Sequence, residues 1–315
     1  MGQAVAVEFS VIIPTHNRPA ALRRAVESVC RQSFADFELI VVDDGCDEPV
    51  SQVLGALKDP RVTVLRQDRA GGVSSARNAG IARARGRLVS FLDDDDLFHR
   101  DYLARVREAF AEPSAGFAWV AQAIVVVESA PPQWLTTRQL RPFPPMHHVP
   151  DSDLANIYVG CAQGLTVRRS AIDEVGLFDE RLSYSEDFDL VVRLVAANWQ
   201  AWRLNMPLIV HAVHRRGGLS NAPTRKRCLA LMRVMRRNKP FLESRPGAYE
   251  HLLRCAIRDL VHSTHSARGF RLIGYARQRK LRHRWIRKVT VNSYFFAIKR
   301  LLAGRPVKTR WPGAA

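Results

Sequence analysis

The sequence predicts an α/β fold, a mostly parallel sheet flanked by helices, followed by a C-terminal basic helical region. Three observations carry this. Strand and helix signals alternate from residue 7 to residue 92, the pattern of parallel strands joined by helical crossovers. Two strands are apolar and end in aspartates, ELIVVDDG at 38–45 and RLVSFLDDDD at 87–96; such runs suit strands covered on both faces. The charge divides sharply: residues 215–315 hold 26 Lys and Arg against 3 Asp and Glu, so the net +18 belongs to the last third. A shift of that kind separates regions with different partners, and sets the expected domains at 1–220 and 221–315.

Each element has its own signal. Val7–Ile13 reads as a strand that Pro14 stops, and a helix follows with Asn17 as its cap and Pro19 in its first turn. The apolar stripe Leu22, Ala25, Val26 and Val29 has helical spacing. After the strand 38–42 come a helix over Pro49–Leu57, a strand over Arg61–Leu65, a glycine turn at Gly71-Gly72 and a helix over Ser74–Ala84. The run at 117–127 is a buried strand, too short to span a bilayer. Residues 130–152 hold six prolines without periodicity and read as a long surface loop. Order returns at Tyr158–Arg168, at Ser170–Glu174 and in a helix that buries Phe188, Val191, Val192 and Val195. From about Pro223 the chain is helical and basic, with a first stripe of Cys228, Leu231, Met232 and Met235 and further helices through residue 302.

Composition excludes several classes. At 47% hydrophobic and 25% charged the chain is an ordinary globular one. The N-terminal MGQAVAVEFSVIIP lacks a basic n-region, so no signal peptide is expected, and the myristoylation pattern is not met. Five scattered cysteines without CxxC spacing argue for reduced thiols in a cytoplasmic protein.

Four adjacent carboxylates at the end of a buried strand call for water or a cation. On an extended chain Asp93 and Asp95 share one side, with Asp94 and Asp96 on the other. Asp93 and Asp95 would raise one another's pKa, a conflict that Mg²⁺ or Mn²⁺ resolves. The plainer alternative is a solvated acidic loop that caps a helix over Leu97–Arg107. In SYSEDFDL, Ser185 can cap a helix whose first turn carries Glu186 and Asp187. Such acids complement the helix dipole, or one of them serves as a general base.

The stretches FSVIIPTHNRPAALRRAVESVCRQSFADFELIVVDDG, GGVSSARNAGIARARGRLVSFLDDDD and RRSAIDEVGLFDERLSYSEDFDLVVRL, in order over residues 9 to about 220, resemble the family 2 glycosyltransferases of the GT-A fold. The resemblance implies that Pro14 and Thr15 meet the nucleotide base and ribose, and that one of Asp43 and Asp44, with Asp43 preferred, pairs with the base. It implies that Arg77 lies near the diphosphate beside Gly72, that Asp94 adds a substrate contact, and that Asp93 and Asp95 are the metal-binding DxD pair. Asp187 matches the catalytic base, with Glu186 beside it, and His214 matches a late histidine near the metal or diphosphate. Cys46 replaces the family's usual serine, and the QxxRW motif of processive synthases is absent, so chain polymerisation is not expected.

The implied activity is metal-dependent and inverting: one sugar moves from a nucleotide-sugar donor, UDP- or dTDP-linked by preference, to a glycan or lipid-linked acceptor in cell-surface polysaccharide or lipopolysaccharide assembly. The competing class is a non-catalytic nucleotide-sugar-binding or nucleic-acid-binding protein on the same fold. For the basic region, contact with an anionic membrane at its cytoplasmic face and binding of a phosphorylated or lipid-linked acceptor are favoured over a merely solvated bundle. Nucleic acid is disfavoured, because no recognisable module accompanies the charge.

Overall fold

The structure, a computed structural model, describes residues 7–55, 57–126, 133–135, 146–149, 164–213 and 224–244. The chain divides into two compact units, Met1–Asn221 and Ala222–Ala315. In the first, the order is β1 (Phe9–Thr15), α1 (Pro19–Cys30), β2 (Phe37–Asp44), α2 (Val50–Val53), β3 (Val62–Gln67), α3 (Val73–Arg83) and β4 (Leu88–Phe91). Next come β5 (Leu97–Phe98), α4 (Tyr102–Ala109), β6 (Ala115–Val126), β7 (Gln133–Leu135) and β8 (Met146–Val149). The unit's remaining elements are β9 (Leu165–Arg168), α5 (Arg169–Val175), α6 (Glu186–Ala196) and β10 (Gln200–Val213). The second unit contributes α7 (Thr224–Arg237) and α8 (Lys239–Glu243).

One sheet runs β3-β2-β1-β4-β9-β6-β10-β5, with β7 added beside β6 and β8 beside β10. Its β3-β2-β1-β4 half is parallel, as predicted. Beyond it the sheet is mixed: β9 lies antiparallel between β4 and β6, while β6 and β10 are parallel.

The apolar runs of β1 and β2 are buried on both faces. Val11, Ile13, Leu39 and Val41 share a core with Leu22, Ala25, Val26 and Val29 of α1 and with Tyr102, Leu103 and Val106 of α4. On the opposite face α3 approaches β1 closely at Gly80, where a Cβ would lie 2.6 Å from Ile12 Cγ2.

Several expectations are corrected. Pro14 does not stop β1; it pairs in register with Val42. Leu92 N donates to Ile12 O at 3.1 Å, so the backbone of Pro14, two residues on, faces that same side, past the last residue that β4 pairs. No ladder donor is needed there. Asn17 is not the helix cap. It adopts φ +55°, its side chain is tied to Asp47 at 2.8 and 3.1 Å, and Arg18 takes the cap position. The helix expected over Pro49–Leu57 shrinks to α2. Leu97 and Phe98 pair with β10 before α4 begins. Within the expected loop 130–152, β7 and β8 join the sheet. The sequence reading missed β10, whose ladder with β6 breaks register around Pro207, where a proline forces an irregularity. In α7, Ala230, Leu231, Val234 and Met235 are buried while Met232 is 38% exposed, so the stripe is turned from the expected one. The helices expected after residue 245, and most of Tyr158–Arg168, lie outside the described residues. Among the described residues, no helix is long and apolar enough to cross a membrane.

Candidate active site

Three neighbouring parallel strands deliver polar residues at their carboxyl ends, where open α/β sheets bind ligands. Register sets Thr15, at the end of β1, beside Asp43 of β2. Asp43 is buried, and its two oxygens accept from Cys46 N (2.8 Å), Val50 N (3.2 Å) and Arg66 Nη1 (2.7 Å). Burial pushes its pKa up, but these donors outweigh burial and hold it below the ordinary value. Asp44 accepts from Gly71 N at 2.6 Å on one oxygen and from Gly72 N at 2.9 Å on the other. Gly72 has φ +88°, a conformation that favours glycine, and α3 starts at the next residue.

The acidic run is not extended. Asp96 N donates to Asp93 O at 3.1 Å, which curls the four residues into a turn and cancels the predicted alternation. Asp94 turns to Thr15, whose Oγ1 donates to it at 2.7 Å, and to Arg18 Nη1 at 3.2 Å. The same Arg18 nitrogen donates to Asp95 at 2.7 Å. Asp96 is fully buried, held by His211 Nδ1 at 3.1 Å and Ala212 N at 2.8 Å. Placing Asp96 on the opposite side from Asp93 and Asp95 is therefore overturned: one oxygen from each of the three lies within 4.8 Å of the others. An all-carboxylate oxygen set of that size suits a hard divalent cation such as Mg²⁺ or Mn²⁺. Burial pushes Asp94 to about 6 against the pull of Thr15 and Arg18, with Asp95 and Asp93 adding repulsion. Burial likewise pushes Asp96 to about 6, against the pull of His211. For His211 burial favours the neutral ring, but Asp96 outweighs it and raises the pKa.

Facing this run is the start of α6. Ser185 stands at the cap in a left-handed conformation (φ +61°), but its side chain makes no capping bond. Asp187 Oδ1 instead accepts from Phe188 N at 2.7 Å. Burial and then the neighbouring Glu186 push the Asp187 carboxyl up to about 7, against the pull of Arg77. Arg77 links the two groups of acids: Nη1 donates to Glu186 at 2.7 Å and Nη2 to Asp93 at 2.8 Å. The Arg77 side chain is only 3% exposed, so it acts as an internal brace between the β4 end and α6.

The structure thus gathers Thr15, Asp93, Asp94, Asp95, Arg77, Glu186 and Asp187 at one edge, with Asp43, Asp44 and Gly72 on the adjoining strand ends. Pro14 precedes Thr15 in β1. His214 lies outside the described residues. The sequence reading missed Arg18, Asp96 and His211. Asp96 was misplaced because period-two alternation fails in a turn. His211 sits on the unrecognised β10, and its signal was the apolar run PLIVHAV. Arg18 left a weaker signal, a cation beside the Asn17 kink.

A doubly covered sheet of this order, with an acidic run after β4 and carboxylates on a facing helix, defines a GT-A-type glycosyltransferase fold. The chain belongs to glycosyl transferase family 2, whose profile matches residues 10–176. It is 28% identical over 195 residues to the succinoglycan biosynthesis protein ExoO of Rhizobium meliloti, covering 60% of this chain and 56% of that protein. It is 26% identical to an uncharacterized glycosyltransferase of Haemophilus influenzae, covering 69% and 72%. It is 40% identical over 91 residues to the putative colanic acid biosynthesis glycosyl transferase WcaA of Escherichia coli, covering 28% and 32%. The chain therefore spans little more than half of the succinoglycan relative. Among solved structures, the mannosyltransferase PcManGT of Pyrobaculum calidifontis, in complex with GDP-Man and Mn²⁺, superposes with a TM-score of 0.62 at 17% identity, covering 95% and 88%. TarS 1–349 of S. aureus, in complex with UDP-GlcNAc, gives 0.60 at 16%, covering 95% and 92%.

Proposed function

We propose that this chain is an inverting, metal-dependent glycosyltransferase that moves one sugar from a nucleotide-diphosphate sugar to a hydroxyl of a glycan or lipid-linked acceptor. The observation that carries the reading is the link Asp93–Arg77–Glu186 through the buried Arg77, which holds the acidic turn against the helix that bears Asp187. Asp187 takes the proton of the acceptor hydroxyl. That oxygen bonds to the anomeric carbon as the bond to the diphosphate breaks on the opposite face, which inverts the centre. Asp93 and Asp95, with Asp96 clustered beside them, would hold a Mg²⁺ or Mn²⁺ ion, and the resemblance adds His214 to that set. Such an ion supplies neutralisation of the charge on the departing diphosphate. Pro14, Thr15, Asp94 and Gly72 form the nucleoside end. Of the base-pairing candidates we favour Asp44 over Asp43, because Asp43 already accepts three donors and Asp44 two.

The relatives named for succinoglycan and colanic acid biosynthesis support a role in cell-envelope polysaccharide assembly. Neighbours bound to UDP-GlcNAc and to GDP-Man support the donor class without selecting a base; a UDP- or dTDP-sugar is favoured by the resemblance. Residues 1–220 would be the catalytic domain. Residues 221–315 would associate with membrane or acceptor at the cytoplasmic face. Calorimetric titration of UDP, dTDP and GDP, with and without Mn²⁺, tests the reading on wild type, Asp95→Ala and Asp187→Asn. One nucleotide should bind with metal, lose binding in Asp95→Ala and keep it in Asp187→Asn, while transfer by Asp187→Asn drops about 10²–10⁴-fold. Binding without any metal-dependent transfer or hydrolysis would favour a non-catalytic binder.

A further inference from the structure

The acidic turn raises a question that the donor-site reading does not answer: what balances its charge before a cation arrives. Three basic side chains of the chain itself, two arginines and a histidine, meet the run. Arg77 is paired with Asp93, His211 with Asp96, and Arg18 with both Asp94 and Asp95. They differ in their freedom to leave. The Arg77 side chain is 3% exposed and is also bound to Glu186. His211 is packed on the fully buried Asp96. The Arg18 side chain is 38% exposed and reaches both carboxylates through a single nitrogen.

The backbone that carries Arg18 is anchored. Asn17, in its left-handed conformation, is pinned to Asp47 by both side-chain atoms, and its N–H reaches Cys46 Sγ at 3.2 Å. A fixed Cα with a half-exposed, long, cationic side chain is a tether from which the guanidinium can swing into water. Its departure would affect the two aspartates unequally. Asp94 keeps the 2.7 Å bond from Thr15, whereas Asp95, one of the three clustered carboxylates, gives up a 2.7 Å charge-assisted bond. A divalent cation at that cluster and a guanidinium at 2.7 Å from Asp95 repel one another strongly, because both are only partly screened there.

We propose that Arg18 is a displaceable internal counter-cation: it pairs with Asp95 until a metal binds, and it exchanges that partner for the diphosphate anion that accompanies the metal. This inference rests on the donor-site reading above and adds to it a coupling. Metal alone must expel Arg18 into water, whereas metal with a diphosphate supplies the guanidinium with a new partner. Each ligand therefore strengthens the binding of the other.

The test is Mn²⁺ titration of wild type, Arg18→Gln and Arg18→Lys, each with Mn²⁺ alone and with Mn²⁺ plus UDP, dTDP or GDP. Arg18→Gln should bind Mn²⁺ alone about tenfold more tightly than wild type. Its gain in Mn²⁺ affinity from the nucleotide should be smaller than that of wild type. Arg18→Lys, which keeps the charge, should stay within about threefold of wild type. In chelator, Arg18→Gln should melt below wild type, and added Mn²⁺ should close the gap. Unchanged or weaker Mn²⁺ binding by Arg18→Gln overturns the proposal, as does a variant that fails to fold with and without Mn²⁺, since Arg18 is then structural. Wild type that binds Mn²⁺ with none of the three nucleotides sinks the donor-site reading itself, and this inference with it.

Discussion

Asp187 carries the heaviest chemical demand, and its surroundings set the pH at which it can meet that demand. Burial and the adjacent Glu186 raise its carboxyl to about 7. A base works deprotonated, so transfer should rise with pH through that region and level off above it. A cation near Asp93 stabilises the ionised form and moves the midpoint lower. Glu186→Gln removes the largest charge repulsion behind the rise, so a pH–rate profile should show its acidic limb at lower pH than that of wild type. An unshifted limb would assign the limb to another group. Arg77 acts by position. Arg77→Met leaves the Glu186 carboxylate, 11% exposed, without its partner. Removing one member of a buried ion pair costs about 3–5 kcal/mol, and the 33% exposure of Asp93 trims that to roughly 2–4. Denaturant unfolding reads the loss. A change under about 1 kcal/mol would mean that the brace is not needed for stability.

At the scale of elements, the site depends on how closely α3 sits on β1, because α3 carries Arg77 and β1 ends in Thr15. Gly80 permits the approach: a Cβ there would fall 2.6 Å from Ile12 Cγ2. Gly80→Ala should destabilise by about 1–3 kcal/mol, the usual effect of overpacking. Ile12→Ala removes the Cγ2 that the new Cβ meets, so the double variant should lose less than the sum of the two single variants. Strict additivity of the two would place the strain elsewhere. The acidic turn is the second such device. One backbone bond from Asp96 N to Asp93 O brings three carboxylates together, and β10 completes the arrangement by presenting His211 to Asp96.

For the whole molecule the governing feature is charge. The last 101 residues hold 26 Lys and Arg against 3 Asp and Glu, and that density attracts anionic surfaces within about a Debye length. The full chain should co-sediment with vesicles containing phosphatidylglycerol in ~50 mM salt and release in ~500 mM. It should ignore purely zwitterionic vesicles. Salt-sensitive binding to DNA or RNA with no vesicle binding would turn the basic region over to a nucleic-acid partner.

The sequence by itself determined the parallel half of the sheet, because apolar runs at strand length and a helical stripe such as Leu22, Ala25, Val26 and Val29 are local signals that burial on both faces enforces. It determined the residue types of the site as well: Asp43-Asp44, the run Asp93–Asp96 and Glu186-Asp187 are contiguous motifs. Tertiary structure alone decided which carboxylates converge. Asp96 joined Asp93 and Asp95 because a turn replaced extended chain, and Asp94 faced Thr15 across 79 positions of sequence. The partners Arg18, Arg77 and His211 come from the cap of α1, from α3 and from β10, and no periodicity links them to the acids they meet. Local pattern fixes where a chain is apolar or kinked; long-range pairing of charge depends on closure of the fold, and that closure assembled this site.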